Sequence, residues 1–201
     1  MNVNGAQFLP NFYDIVAQRT LVDEIREIVR QAPLYTPTMP KTGKSLSVKM
    51  TNCGALGWVS DASKGYRYQD HHPRSGKAWP AIPEQLLKLW ESVVDAPIEP
   101  EACLINFYDA NAKMGLHQDN DETDLTTPVV SVSLGDSCLF RIGTQTRSGK
   151  TKSFKLNSGD VVVLGGEARL AFHGVDKIYP GTSTLLKNEG RINLTLRRVS
   201  K

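Results

Sequence analysis

The residues best suited to chemistry are one aspartate and two of the chain's four histidines. In Leu116-His117-Gln118-Asp119 an imidazole and a carboxylate stand two positions apart. Residues so spaced in a strand project to the same side, so the pair can chelate one ion. A third ligand must come from elsewhere, and the candidate is His173 in Phe172-His173-Gly174, shortly after the apolar run Val161-Val162-Val163-Leu164. Two imidazoles and one carboxylate leave coordination positions open, a donor set that suits non-haem Fe(II). Each piece also has an ordinary reading, since His-x-Asp recurs by chance and a His–Gly pair is common in turns.

A second polar set lies near the C-terminus. In Arg191-Ile192-Asn193-Leu194-Thr195-Leu196-Arg197 the polar residues share one face of a strand and the aliphatic residues the other. Facing water, that pattern is unremarkable for an antiparallel strand. Facing the interior, two guanidiniums and an amide form a carboxylate site, because each guanidinium offers a planar two-pronged donor. Asn106 and Tyr108, also two apart, can add an amide and a phenol to the same anion. The ligand that unites such an iron site with a dicarboxylate pocket is 2-oxoglutarate.

Strands must hold these residues. Short β segments separated by turns are expected at Cys103–Tyr108, Val129–Leu134, Cys138–Ile142, Thr151–Leu156, Asp160–Leu164 and Arg191–Val199, a texture that fits a β-sandwich or jelly roll. Two helices precede them. The first carries Leu21, Ile25, Ile28 and Val29 and has Thr20-Leu21-Val22-Asp23 as a capping-box-like start; the second begins with Pro83 as its first helical residue and continues through Leu86, Leu89, Trp90, Val93 and Val94. Between them, residues 33–82 mix a strand-like Ser45–Met50 with Trp58, Tyr66, Tyr68 and Trp79 and with Lys44, Lys49, Lys64, Arg67, Arg74 and Lys77. Such a segment suits hairpins that cover a flat ligand, or rings that fill core beneath loops.

Composition sets the outer limits. The chain has 201 residues, 40% hydrophobic and 22% charged, enough to bury one core and inconsistent with collagen-like, coiled-coil or wholly disordered chains. A net charge of +3 permits an anionic partner without requiring one. Cys53, Cys103 and Cys138 are scattered and read as small buried thiols. No apolar run is long enough to span a bilayer, and the start has neither a basic nor an apolar leader region, so a cytoplasmic protein without membrane contact is expected.

Five stretches carry a family resemblance: Ala102–Tyr108; Leu116–Glu122; Pro128–Gly135; Gly159–Val163 through Phe172-His173-Gly174; and Arg191–Arg197. Met50–Trp58 and Gly65–Tyr68 add to them upstream. Together, in order and spacing, they resemble the AlkB family of Fe(II)/2-oxoglutarate-dependent dioxygenases over most of residues 46–198. The resemblance implies a mainly β fold with flanking helices: a double-stranded β-helix (jelly roll) core with an N-terminal nucleotide-recognition lid. One catalytic domain is expected over residues 1–201, with helices and lid in 1–100 and the dioxygenase core in 101–201. It implies iron on His117, Asp119 and His173, Arg191 on the distal carboxylate of 2-oxoglutarate with Tyr108 nearby, and Asn106, Asn193 and Arg197 completing that pocket. On the substrate side it implies a base held between Trp58 and His173, lid contacts from Tyr66, Arg67 and Tyr68, Asp121 at the exocyclic amine, and Arg147 as a basic contact. The implied activity is oxidative demethylation of 1-methyladenine and 3-methylcytosine in single- or double-stranded DNA, with RNA as a further substrate, by a monomer. 2-Oxoglutarate and O2 would become succinate and CO2, and the methyl group formaldehyde. Two competing readings are a hydroxylase of the same cofactor class acting on a protein or small molecule, and a non-catalytic nucleic-acid-binding module with a structural metal.

Overall fold

The computed structural model describes residues 1–201. Short strands β1 (Asn2–Val3) and β2 (Ala6–Leu9) precede helix α1 (Ile15–Gln31). Strands β3 (Lys49–Gly54), β4 (Gly57–Asp61) and β5 (Gly65–Gln69) lead to helix α2 (Glu84–Val93). The rest is β: β6 (Ala102–Tyr108), β7 (Met114–His117), β8 (Val129–Gly135), β9 (Ser137–Ile142), β10 (Lys152–Leu156), β11 (Val161–Leu164), β12 (His173–Tyr179) and β13 (Arg191–Arg197). A seven-stranded major sheet runs β1-β2-β11-β8-β13-β6-β3, a four-stranded minor sheet runs β10-β9-β12-β7, and β4–β5 form a separate hairpin. The strands expected from the sequence in the C-terminal half are all present, with ends moved by a residue or two. The upstream strand expected at Ser45–Met50 instead starts at Lys49 and runs to Gly54, in register with β6. β1, β2 and β3, all before residue 101, complete the major sheet.

Strand alternation divides the interior in two. Ile105, Val130, Val132, Leu134, Val161, Val163, Leu194 and Leu196 point to one side of the major sheet and pack against Leu21, Ile25 and Ile28 of α1 and Leu86, Leu89 and Trp90 of α2. Their neighbours Leu104, Val129, Val162 and Leu164 point to the other side and meet Cys138, Phe140, Ile142, Leu156 and Val175 of the minor sheet. Both faces of the major sheet are thus covered, and the helices lie outside it. The three cysteines are free and buried, with Cys53 and Cys103 opposite each other in the β3–β6 register.

Helix α1 begins earlier than its apolar stripe. Its N-cap is Asp14, whose carboxylate accepts the Ala17 amide at 2.8 Å. Thr20 is interior to the helix and bonds back to the Val16 carbonyl, so Thr20-Leu21-Val22-Asp23 is no capping box. Pro83 is the N-cap of α2 and Glu84 its first helical residue. In the intervening segment Trp79 is core: it packs with Ala32, Tyr35 and Val59, and its Nε1 donates to the Gln69 carbonyl at 2.8 Å.

Leu194 is fully buried between sheet and helices, whereas Val16 is 68% exposed. Leu194→Ala is expected to lower unfolding free energy by about 2–5 kcal/mol, and Val16→Ala to leave it nearly unchanged, as measured by urea denaturation.

Candidate metal and anion site

Antiparallel pairing of β7 with β12 sets His117 directly opposite His173. Their side chains therefore leave the sheet on one face, with ring centroids 4.5 Å apart. Gly174 makes this approach possible, because a Cβ there would stand 2.5 Å from the Met114 carbonyl oxygen. Asp119, just past the end of β7, brings its carboxylate to both rings: Oδ1 is 3.8 Å from His117 Nε2 and Oδ2 is 3.7 Å from His173 Nε2. One ligand atom from each residue falls within 4.8 Å of the others.

The ring tautomers suit a cation. His117 Nδ1 lies 3.0 Å from the Gly115 carbonyl and His173 Nδ1 2.9 Å from that of Ala171. A carbonyl only accepts, so each Nδ1 carries the proton and each Nε2 turns a lone pair toward Asp119. Burial, reinforced by the nearby His117, pushes the His173 imidazole down to about 4, which keeps it neutral. Burial alone would raise the Asp119 carboxyl, but the adjacent Arg197 guanidinium outweighs it and holds the group well below the usual carboxylate range.

These three residues line a cavity of about 250 Å³ between the sheets, together with Asn106, Tyr108, Arg191, Asn193, Thr195 and Arg197. The pairing explains the assembly: Arg191 is opposite Tyr108, and Asn193 opposite Asn106, across β13 and β6. Arg191 is 1% exposed, yet only its Nη2 is satisfied, donating to Ser133 Oγ at 2.9 Å. Its Nε and Nη1, and Oδ1 of Asn106, have no hydrogen-bond partner. A buried guanidinium in that state is strongly disfavoured without an anion. Burial raises the Tyr108 phenol above its ordinary value, leaving it a neutral donor beside the same guanidinium. The donor sets thus fit a divalent metal next to a carboxylate ligand.

The other two residues expected at the anion are engaged within the protein. Asn193 Nδ2 donates to Ser131 Oγ and the Val132 carbonyl, and its Oδ1 accepts from Thr195. Arg197 gives Nη2 to Asp119 Oδ1 at 2.7 Å and Nη1 to the Tyr68 hydroxyl at 3.0 Å. Sequence reasoning missed the group beneath them. Arg169, 3% exposed, donates to the Asp119 and Thr127 carbonyls and to Glu122 Oε2. Nothing in the local pattern of Arg169 marks it, since its partners are 42–50 residues away.

At the cavity mouth the structure gathers Trp58, Tyr66 and Asp121. Trp58 and Tyr66 stack with centroids 5.5 Å apart at 23°, and Trp58 Nε1 donates to Asp121 Oδ2 at 2.7 Å. Arg67, Tyr68 and Arg147 do not line the cavity. Arg67 pairs with Asp61 at 2.7 Å, the Tyr68 hydroxyl is drawn inward to Glu122 and Arg197, and Arg147 lies over the Phe172 ring at 5.6 Å.

An open metal site beside a buried anion site, held between two antiparallel sheets, is the equipment of an oxygenase that uses Fe(II) and an oxo acid. The chain belongs to the 2OG-Fe(II) oxygenase superfamily, which residues 5–197 match. Its cofactor is accordingly Fe(II), with 2-oxoglutarate and O2 as cosubstrates. The alpha-ketoglutarate-dependent dioxygenase AlkB homolog of Caulobacter vibrioides is 52% identical over 98% of this chain and 88% of its own length. The corresponding AlkB protein of Escherichia coli is 40% identical over 98% of this chain and 91% of its own. The solved structure of OsALKBH1 superposes with a TM-score of 0.83 at 32% identity, covering 98% of this chain and 100% of that one.

Arg191→Ala is expected to raise the 2-oxoglutarate concentration needed for half-maximal turnover by about 30-fold or more, while metal affinity, measured by titration, stays near that of the wild type. An unchanged cosubstrate dependence removes Arg191 from that role.

Proposed function

We propose that the protein oxidatively removes alkyl groups from N-alkylated nucleobases such as 1-methyladenine and 3-methylcytosine in DNA, single- or double-stranded, with RNA as a second substrate. The observation that carries this reading is the one cavity in which a His–Asp–His triad and a buried guanidinium with two unsatisfied nitrogens lie beneath a Trp58–Tyr66 stack and the Asp121 carboxylate. The names of two relatives support a nucleic-acid substrate: DNA N(6)-methyladenine demethylase in Arabidopsis thaliana, 32% identical, and tRNA demethylase in Schizosaccharomyces pombe, 35% identical.

In this reading His117, Asp119 and His173 hold Fe(II), and Arg191, with Tyr108 and Asn106, holds 2-oxoglutarate. When bound, iron with 2-oxoglutarate and O2 supplies the oxidation, giving succinate, CO2 and, from an N-methyl group, formaldehyde. The chain's own contribution is placement. Trp58 offers a π face to a flat ring, and the lesions named are cationic, so its quadrupole favours them over the parent base by about 0.5–2 kcal/mol. Asp121 adds a carboxylate at the edge of that site and favours the same positive charge. The aliphatic lining from Leu104, Leu156, Val162 and Leu164 excludes water around the reacting groups. A target base must leave the stack to reach this depth, and one that cannot pair does so at lower cost. We further propose that residues 1–201 act as one catalytic unit, since strands from both halves build the major sheet. No helix is long and apolar enough to cross a membrane.

Release of formaldehyde and succinate in equal amounts from a 1-methyladenine oligonucleotide, and neither from the unmethylated control, is the expected result with Fe(II), 2-oxoglutarate and O2. Succinate without formaldehyde points to another substrate and overturns the nucleobase reading. His173→Ala is expected to abolish turnover with loss of metal, and Trp58→Ala to weaken oligonucleotide binding while retaining metal; equal loss of metal in both refutes the division of roles.

A further inference from the structure

Trp58 and Tyr68 face each other across the β4–β5 hairpin, and they clasp consecutive carboxylates. Trp58 Nε1 donates to Asp121 and the Tyr68 hydroxyl donates to Glu122, in the segment that directly follows Asp119. The Tyr68 oxygen also accepts from Arg197 Nη1 at 3.0 Å, and Arg197 Nη2 donates to Asp119 Oδ1 at 2.7 Å. An unbroken chain of hydrogen bonds therefore runs from the hairpin, through Tyr68 and Arg197, to the carboxylate of the triad. Arg169 braces it from below, on the Asp119 carbonyl and on Glu122. One donor in this chain is unused: Arg197 Nε has no hydrogen-bond partner, although Glu122 Oε1 is only 3.5 Å away.

We propose that Tyr68 is a positioning residue which, through Arg197, couples seating of the β4–β5 hairpin to cation binding at the triad, so that each favours the other. The direction follows from charge. A divalent cation among His117, Asp119 and His173 draws on the Asp119 carboxylate and loosens its hold on Arg197. The guanidinium, with Nε unsatisfied, then closes on Glu122 and Tyr68, which fastens the hairpin. By thermodynamic reciprocity a fastened hairpin raises cation affinity by the same factor. This rests on the triad being the metal site and adds a hairpin side chain, outside the cavity lining, that responds to its occupancy.

The test uses the full chain with Co2+ and no substrate. Amide hydrogen exchange over the hairpin, Gly57–Gln69, reads its seating, titration reads affinity, and the Co2+ absorption bands read ligand geometry. In the wild type the cation is expected to slow exchange in the hairpin. Tyr68→Phe keeps the ring and is expected to lose that response, to bind Co2+ about tenfold more weakly, and to alter the absorption bands. Tyr179→Phe, a hydroxyl removal at the end of β12 far from His173, where the ring lies under Lys155 and Lys177, is expected to change none of these. Hairpin exchange indifferent to bound Co2+ in the wild type, or a wild-type response in Tyr68→Phe, overturns the coupling and leaves the metal site standing. Failure of the wild type to bind Co2+ at all overturns both.

Discussion

The two-residue period of the β-strand is the constraint on which everything at this site depends. In β13 it sends Ile192, Leu194 and Leu196 to the helices and Arg191, Asn193, Thr195 and Arg197 to the cavity, with no residue left over. Because both faces of the major sheet are covered, an inward-facing charge has no bulk water to turn to. Every one of them must find a counterpart in the protein or in a ligand. Arg197 and Arg169 find theirs in Asp119, Glu122 and backbone carbonyls, whereas Arg191 finds only a serine hydroxyl. That difference in partners separates the guanidiniums that build the framework from the one that awaits an anion.

What was legible in the sequence was local. His-x-Asp spacing and the alternation of Arg191–Arg197 need only strand geometry to be understood, and both place their side chains where that geometry says. The pairing of His173 with His117 is a matter of register between strands more than fifty residues apart in sequence, so the residue type alone pointed to it and no spacing could. Helix α1 hid its start for a different reason. Ile15 and Val16 are exposed, so the apolar period begins a turn later than the helix does and drew the expected cap inward to Thr20.

The hairpin residues divide in the same way. Trp58 and Tyr66 line the cavity, but Tyr68 is captured by Glu122 and Arg197, partners 54 and 129 residues distant. Arg67, on the opposite face of β5, closes a local ion pair with Asp61 across the hairpin. Trp79 shows the other fate open to an aromatic ring in this segment: it fills core with Ala32, Tyr35 and Val59, whereas Trp58 packs against the cluster between the two sheets. Aromatic composition alone does not distinguish a core ring from a lid; the identity of the buried neighbours does.

The position of β13 also has a bearing on how the chain comes to be active. It is the last strand in sequence, yet it lies in the middle of the major sheet, between β8 and β6. During synthesis, then, the earlier strands emerge with a gap where their central member belongs, and the sheet can close only after Arg197 has left the ribosome. The anion-binding guanidinium arrives with that closing strand. A chain that ends between His173 and Arg191 carries all three metal ligands yet lacks the guanidinium that would hold the oxo acid.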